Sequence, residues 1–93
     1  MDEITVENNR ERSRYELHMG DDLVGVADYV VLDDRVVFPH TEIARERRGL
    51  GLGERLVRHA LEDVRSKGMH IEPRCWFVAE FVDLNPEFAD LVV

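Results

Sequence analysis

The apolar residues of this chain change their spacing once, at a glycine-rich stretch near its middle, and that change limits the folds open to it. Before the stretch, apolar side chains alternate with polar ones or run in short β-branched blocks. After it, Leu52, Leu56, Val57, Ala60, Leu61 and Val64 recur at helical intervals and form one face of a helix. The other face carries Glu54–Arg58, Arg58–Glu62 and Asp63–Lys67 at i,i+4 spacing. Gly68 supplies the left-handed residue that closes such a helix, which is predicted over 51–67.

Residues 13–19 alternate Tyr15 and Leu17 against Arg14, Glu16 and His18, the period of a half-buried strand. Gly20, Asp21 and Asp22 form a turn cluster, and 23–32 is a β-branched run that reads as a central strand. Asp33-Asp34 separates it from a strand over 35–42, a gap that signals a hairpin. Pro39 cannot donate to a ladder, so that end is expected to be frayed, bulged or unpaired on one side. Residues 4–8 add an edge strand, 69–73 a short buried strand and 75–84 a second helix, ended by Asn85-Pro86. Strands, a long helix, another strand and a last helix make an α+β, or mixed α/β, domain. The helix joining 35–42 to 70–73 predicts a right-handed crossover with those strands parallel.

The 93 residues support one domain, 1–93. No apolar run approaches the roughly 20 residues of a membrane span. The acidic start carries no signal-peptide pattern, and one cysteine allows no internal disulfide, so a cytoplasmic setting is expected. A net charge of −8 opposes binding to nucleic acid and favours cationic ligands, either amines or basic protein segments. It also opposes self-association, which tips the expectation to a monomer over a homodimer. Of the 12 basic residues only Lys67 is a lysine, and Arg45, Arg47 and Arg48 cluster just before the glycines. Such a positive pocket in an acidic chain suits a phosphate-bearing ligand.

Arg47-Arg48-Gly49-Leu50-Gly51-Leu52-Gly53-Glu54 lies between a strand end and a helix start, where free N–H groups and the helix dipole attract anions. It is not a P-loop, having no Gly-Lys-Ser/Thr, and Glu54 replaces the third glycine of a dinucleotide fingerprint. Arg48-x-x-Gly51-x-Gly53 resembles motif A of the GNAT acetyltransferase superfamily. The chain from His40-Thr41-Glu42-Ile43 through Pro73-Arg74-Cys75 to Asn85-Pro86-Glu87-Phe88 is similar to its smallest stand-alone branch. The resemblance implies a minimal fold of that kind and an acetyl-CoA (coenzyme A) site. In that site the N–H groups of Gly49, Leu50, Gly51, Leu52 and Gly53 would hold the pyrophosphate, with Arg47 or Arg48 adding charge. Main-chain groups of Ile43, Ala44 and Arg45 would bond the pantetheine arm as an added strand.

The chain departs from the superfamily pattern in three ways. Phe81 aligns with the tyrosine that protonates the leaving thiolate, the two usual C-terminal strands have no counterpart before Val93, and no helices separate the first strands. Three candidates for chemistry remain. Cys75 resembles the cysteine that lies near the coenzyme sulfur, and a helix start favours a thiolate. Its alternative is a buried structural thiol. Glu42 and His40 are candidate bases, or else ordinary surface groups. His18, His59 and His70 show no ligand spacing with Cys75, so no metal site is assigned. Trp76, Phe77 and Phe81 read as core rather than as an aromatic cage.

The leading reading is an acetyl-CoA-dependent N-acetyltransferase acting on a small amine, polyamine or protein lysine. The alternative is a non-catalytic acyl-CoA-binding or protein-interaction module on the same fold.

Overall fold

The computed structural model describes residues 3–93. The strands are β1 (Ile4–Asn9), β2 (Arg14–Met19), β3 (Asp22–Leu32), β4 (Arg35–Ile43) and β5 (His70–Pro73), and they pair in sequence order in one sheet. The first four are an antiparallel meander, and β5 joins β4 in parallel. Helix α1 (Leu52–Ser66) makes the crossover, α2 (Trp76–Leu84) follows β5, and short 3-10 turns span Arg45–Arg47 and Pro86–Leu91. The mixed sheet with its parallel crossover is the one expected from the change of period. Asp33 takes a left-handed φ of 56° in the β3–β4 turn, and Gly68 takes φ 68° just beyond α1. No helix among the described residues is long and apolar enough to cross a membrane.

One side of the sheet packs on both helices. Tyr15 and Leu17 of β2, Ala27 of β3 and Val36 and Phe38 of β4 meet Leu56, Val57, Leu61 and Val64 of α1 and Val78 and Phe81 of α2 in a single core. The charge pattern on α1 differs from the expected one. Asp63 and Lys67 do pair, at 2.9 Å. Arg58 instead reaches out of its helix, to Glu87 at 3.2 Å and to the Asn85 side-chain oxygen at 2.8 Å. Its guanidinium lies over the Phe81 and Phe88 rings, where an arginine's flat cation gains more than from a solvated i,i+4 partner.

Two irregularities shape β4. Its pairing with β3 slips around Phe38 and Pro39, where Asp28↔His40 gives way to Val30↔Val37. Its pairing with β5 stops at Phe38↔Pro73. The Phe38 carbonyl then accepts the N–H groups of both Arg74 (3.2 Å) and Cys75 (2.8 Å), which turns the chain off the sheet into α2. From Pro39 to Ile43, β4 has no neighbour on that side, because β5 ends at Pro73 and the chain leaves the sheet for α2. On the far edge of β5 the chain covers itself: Val92 bridges Ile71, and the Val93 N–H donates to the Ile71 carbonyl at 3.1 Å.

Candidate functional site: a cleft at the open edge of β4

The open side of β4 carries unused main-chain groups. Ala44 N–H donates to the Val24 carbonyl of β3 at 2.8 Å. By the alternation of an antiparallel ladder, the N–H and C=O of Thr41 and Ile43 therefore point the other way, to the open edge of β4. The Ile43 carbonyl accepts from Arg48 Nε at 3.0 Å. Thr41 Oγ1 is buried with no hydrogen-bond partner among the described residues. A cleft of about 540 Å³ occupies this side.

The glycine loop closes one end of the cleft. Gly49 and Gly51 have φ of 83° and 76°, and a Cβ added to either would meet nothing within 4 Å, so backbone conformation alone demands glycine there. Gly51 is the N-cap of α1, and the first helical bond runs from Arg55 N–H to the Gly51 carbonyl at 3.2 Å. The N–H groups of Leu52, Gly53 and Glu54 thus have no intrahelical acceptor. Gly53 is required for a different reason. A Cβ there would stand 2.6 Å from the Phe77 ring, so this glycine lets α2 close onto the first turn of α1.

Most of the residues singled out in the sequence meet here. His40, Glu42, Ile43, Arg47, Arg48, Gly49, Gly51, Leu52 and Gly53 all line the cleft. His40 Nε2 lies 3.0 Å from Glu42 Oε1. Because a carboxylate only accepts, Nε2 carries the hydrogen and Nδ1 is left as the basic nitrogen. Arg47 is held beside Met19 Sδ (3.5 Å) and Asp22 (3.8 Å).

Four residues fall outside the lining. The Ala44 N–H is taken by β3 and its carbonyl by Arg47 N–H, while the Arg45 carbonyl accepts Arg48 N–H; both belong to the 3-10 turn. The main-chain partners on β4 are therefore Thr41 and Ile43 rather than Ala44 and Arg45. The Leu50 side chain extends into solvent. Cys75 caps α2, but its thiol packs in the core with only 8% of the residue exposed, so the buried-thiol alternative describes its position.

The sequence reading missed Trp76, Phe77 and Thr41. Trp76 and Phe77 line the cleft; Trp76 is exposed, which corrects its expected place in the core, whereas Phe77 is half-buried and packs against the core. The signal was in the sequence: Glu80 and Asp83 stand four and seven positions after Trp76, so helical spacing puts the indole on their outward face. Phe81 is core, as expected. The structure also gathers Glu7, Glu16 and His18 on the opposite face of the sheet, within 4.8 Å of one another. Glu16 is buried there, and burial alone would raise its pKa. Hydrogen bonds from Arg14 (2.7 Å) and Asn9 (3.1 Å) outweigh that and hold it below the ordinary carboxylate value.

A family model described as GCN5-related N-acetyl-transferase matches residues 14–91. The chain belongs to that family. Within it, the chain is 31% identical over 87 residues to Protein NATD1 of Bos taurus, covering 89% of this chain and 75% of that one. The Homo sapiens NATD1 protein is 30% identical over the same shares. A GCN5-like protein of Staphylococcus aureus, solved by NMR, superposes with a TM-score of 0.76 at 20% identity, over 100% of this chain and 91% of that one. The ribosomal-protein-S18-alanine N-acetyltransferase of Escherichia coli gives 0.63 at 19% identity, over 71% and 44%. N-acetylglutamate synthase of Neisseria gonorrhoeae, complexed with coenzyme A and N-acetyl-glutamate, gives 0.59 at 20% identity, over 75% and 19%. These neighbours establish the GCN5-related fold.

Proposed function

We propose that the protein is an acetyl-CoA-dependent N-acetyltransferase acting on a primary amine: a small amine, a polyamine or a protein lysine. The observation that carries this reading is the continuity of the unpaired edge of β4 with the open N-terminus of α1 in one cleft. An elongated ligand with an amide-bearing arm and a diphosphate matches that pairing of features. Thr41 and Ile43 offer strand-like hydrogen bonds to the arm, and the orphaned Thr41 hydroxyl gains a partner. Leu52, Gly53 and Glu54 offer N–H groups to the diphosphate, with Arg47 and Arg48 beside them. When bound, acetyl-CoA supplies the acyl thioester. His40, oriented by Glu42, accepts the proton that the acceptor ammonium must lose.

The test is calorimetry with coenzyme A, followed by an assay of thiol release from acetyl-CoA in the presence of amines. We expect binding by the wild type. In Gly51→Glu we expect its loss, because the new carboxylate repels phosphate; nothing crowds that position, so the circular dichroism spectrum should keep its shape, while the left-handed φ lowers stability by about 1–2 kcal/mol in urea unfolding. Equal affinity in both proteins would refute the site. The second reading, a non-catalytic acyl-CoA-binding or protein-interaction module, is favoured by Phe81, which has no proton to give, and by the buried Cys75. It predicts coenzyme A binding with no thiol release for any amine.

A further inference from the structure

A second groove, of about 340 Å³, runs between α1 and α2 and is lined by Glu54, Phe77, Glu80, Phe81, Leu84 and Asn85. It shares Glu54 and Phe77 with the cleft and continues along α2 to the end of that helix. Helix α2 buries Val78, Phe81 and Val82, which leaves Trp76, Glu80 and Leu84, spaced four apart, as an outward strip bordered by Asp83. The strip is about 12 Å long at the helical rise. Its two ends are large apolar side chains, Trp76 at 73% exposed and Leu84 at 72%. Glu54, Glu80 and Asp83 form no ion pair among the described residues. Arg58, stacked on the Phe81 ring, is already engaged by Glu87 and Asn85 and does not neutralise them. The strip therefore joins exposed apolar surface to uncompensated negative charge. A second copy of the chain would bring its own charge of −8 against these carboxylates. A cationic segment with apolar residues among its charges complements both features.

We propose that this strip is a docking surface for a basic, amphipathic segment of another protein. The cations of the segment meet Glu54, Glu80 and Asp83, and its apolar side chains cover Trp76 and Leu84. Because groove and cleft share Glu54 and Phe77, the docked partner is held beside the cleft. Docking does not depend on acetyl transfer and is measured without it.

Trp76 is the sole tryptophan, so intrinsic fluorescence reads the strip directly. The probe is a peptide of about a dozen residues built from arginine and leucine, long enough to span the strip as a helix. Its N-terminus is acetylated, so it carries no primary amine and cannot accept an acetyl group. Titrated into the full chain, it is expected to change the fluorescence saturably. The same peptide with serine for leucine should bind at least about tenfold more weakly, and with glutamate for arginine not at all. Glu80→Lys should weaken binding roughly tenfold and Leu84→Ser roughly fivefold, with coenzyme A affinity by calorimetry unchanged in both. Glu11→Lys makes the same change of net charge in the β1–β2 turn, at the opposite edge of the sheet, and should leave the affinity within about twofold. The proposal is overturned if Glu80→Lys binds like the wild type, or if Glu11→Lys weakens binding as much. Equal affinity for the serine peptide also overturns it, by reducing the attraction to charge alone. So does a dimer, seen by light scattering without peptide, that Leu84→Arg dissociates, because a second copy would then occupy the strip.

Discussion

At the residue scale, two glycines of the loop look alike in the sequence and are required for different reasons. Gly51 is fixed by its left-handed φ, Gly53 by the Phe77 ring. Gly53→Ala is therefore expected to behave as overpacking, costing about 1–3 kcal/mol in urea unfolding. The paired change Gly53→Ala with Phe77→Leu should recover part of that loss, since a smaller side chain relieves the contact. Cys75 is the other residue whose position decides its role. With its thiol in the core, alkylation by iodoacetamide should be slow in the folded protein and fast in urea. Cys75→Ala should cost about 1 kcal/mol of stability and leave coenzyme A affinity unchanged. Rapid labelling of the native protein, blocked by coenzyme A, would return the thiol to the cleft.

At the element scale, α1 holds the C-terminal 3-10 turn through two arginines seven positions apart. Arg58 binds Asn85 and Glu87, and Arg65 binds Asp90 (3.0 and 2.9 Å) and the Glu87 carbonyl (2.7 Å). Both guanidinium groups lie over Phe88, which is buried with Leu91. This clamp places Val92 and Val93 against the edge of β5. Exposed ion pairs contribute little in isolation, but here the stacked arginine stems also cover aromatic surface. Arg65→Ala is expected to speed hydrogen exchange at the Val93 amide about tenfold while α1 amides keep their protection. Uniform acceleration across the chain would mean that the segment does not open separately.

At the scale of the whole molecule, the carboxylates set the response to pH. Burial would raise the pKa of Asp63, but hydrogen bonds from Tyr15 (2.6 Å) and Lys67 (2.9 Å) hold it below its ordinary value. Glu16 is likewise lowered, and Glu72, Glu87 and Asp90 are lowered chiefly by hydrogen bonds, from arginine side chains in every case and, for Glu87 first of all, from its own main chain. A lowered pKa in the folded state contributes stability above the unfolded value, and that contribution fades as pH falls through the folded one. The Tyr15 hydroxyl is raised, by burial first and then by Asp63. It favours the folded state below a pH of about 10, and that contribution fades as pH rises beyond it. The urea midpoint should therefore stay level between about pH 5 and 10 and fall steeply below about pH 4. Asp63→Asn should flatten part of the acid limb, and an unchanged slope would count against Asp63 as a contributor.

Much of this was legible in the residues because it depends on local rules. The period of two in β2 and of about 3.6 in α1 follows from backbone geometry. The turn at Asp33-Asp34, the stop at Asn85-Pro86 and the left-handed Gly68 follow from single-residue conformational limits. The loop Arg47–Gly53 marked the start of α1 because glycines there allow the left-handed backbone seen at Gly49 and Gly51, and the superfamily resemblance placed it in a fold. Tertiary contacts decided the rest. Which main-chain groups of β4 are free depended on the ladder parity fixed by Ala44 and Val24. Phe38 had to release β5 before a cleft existed, and His40 and Glu42 became a pair only when the strand brought alternate side chains to one face. Trp76 and Cys75 are neighbours in a segment apolar almost throughout. The indole's outward place follows from Glu80 and Asp83 at i+4 and i+7, but Cys75 precedes the helix, so its thiol was sent inward only by the turn that the Phe38 carbonyl makes with the Arg74 and Cys75 N–H groups.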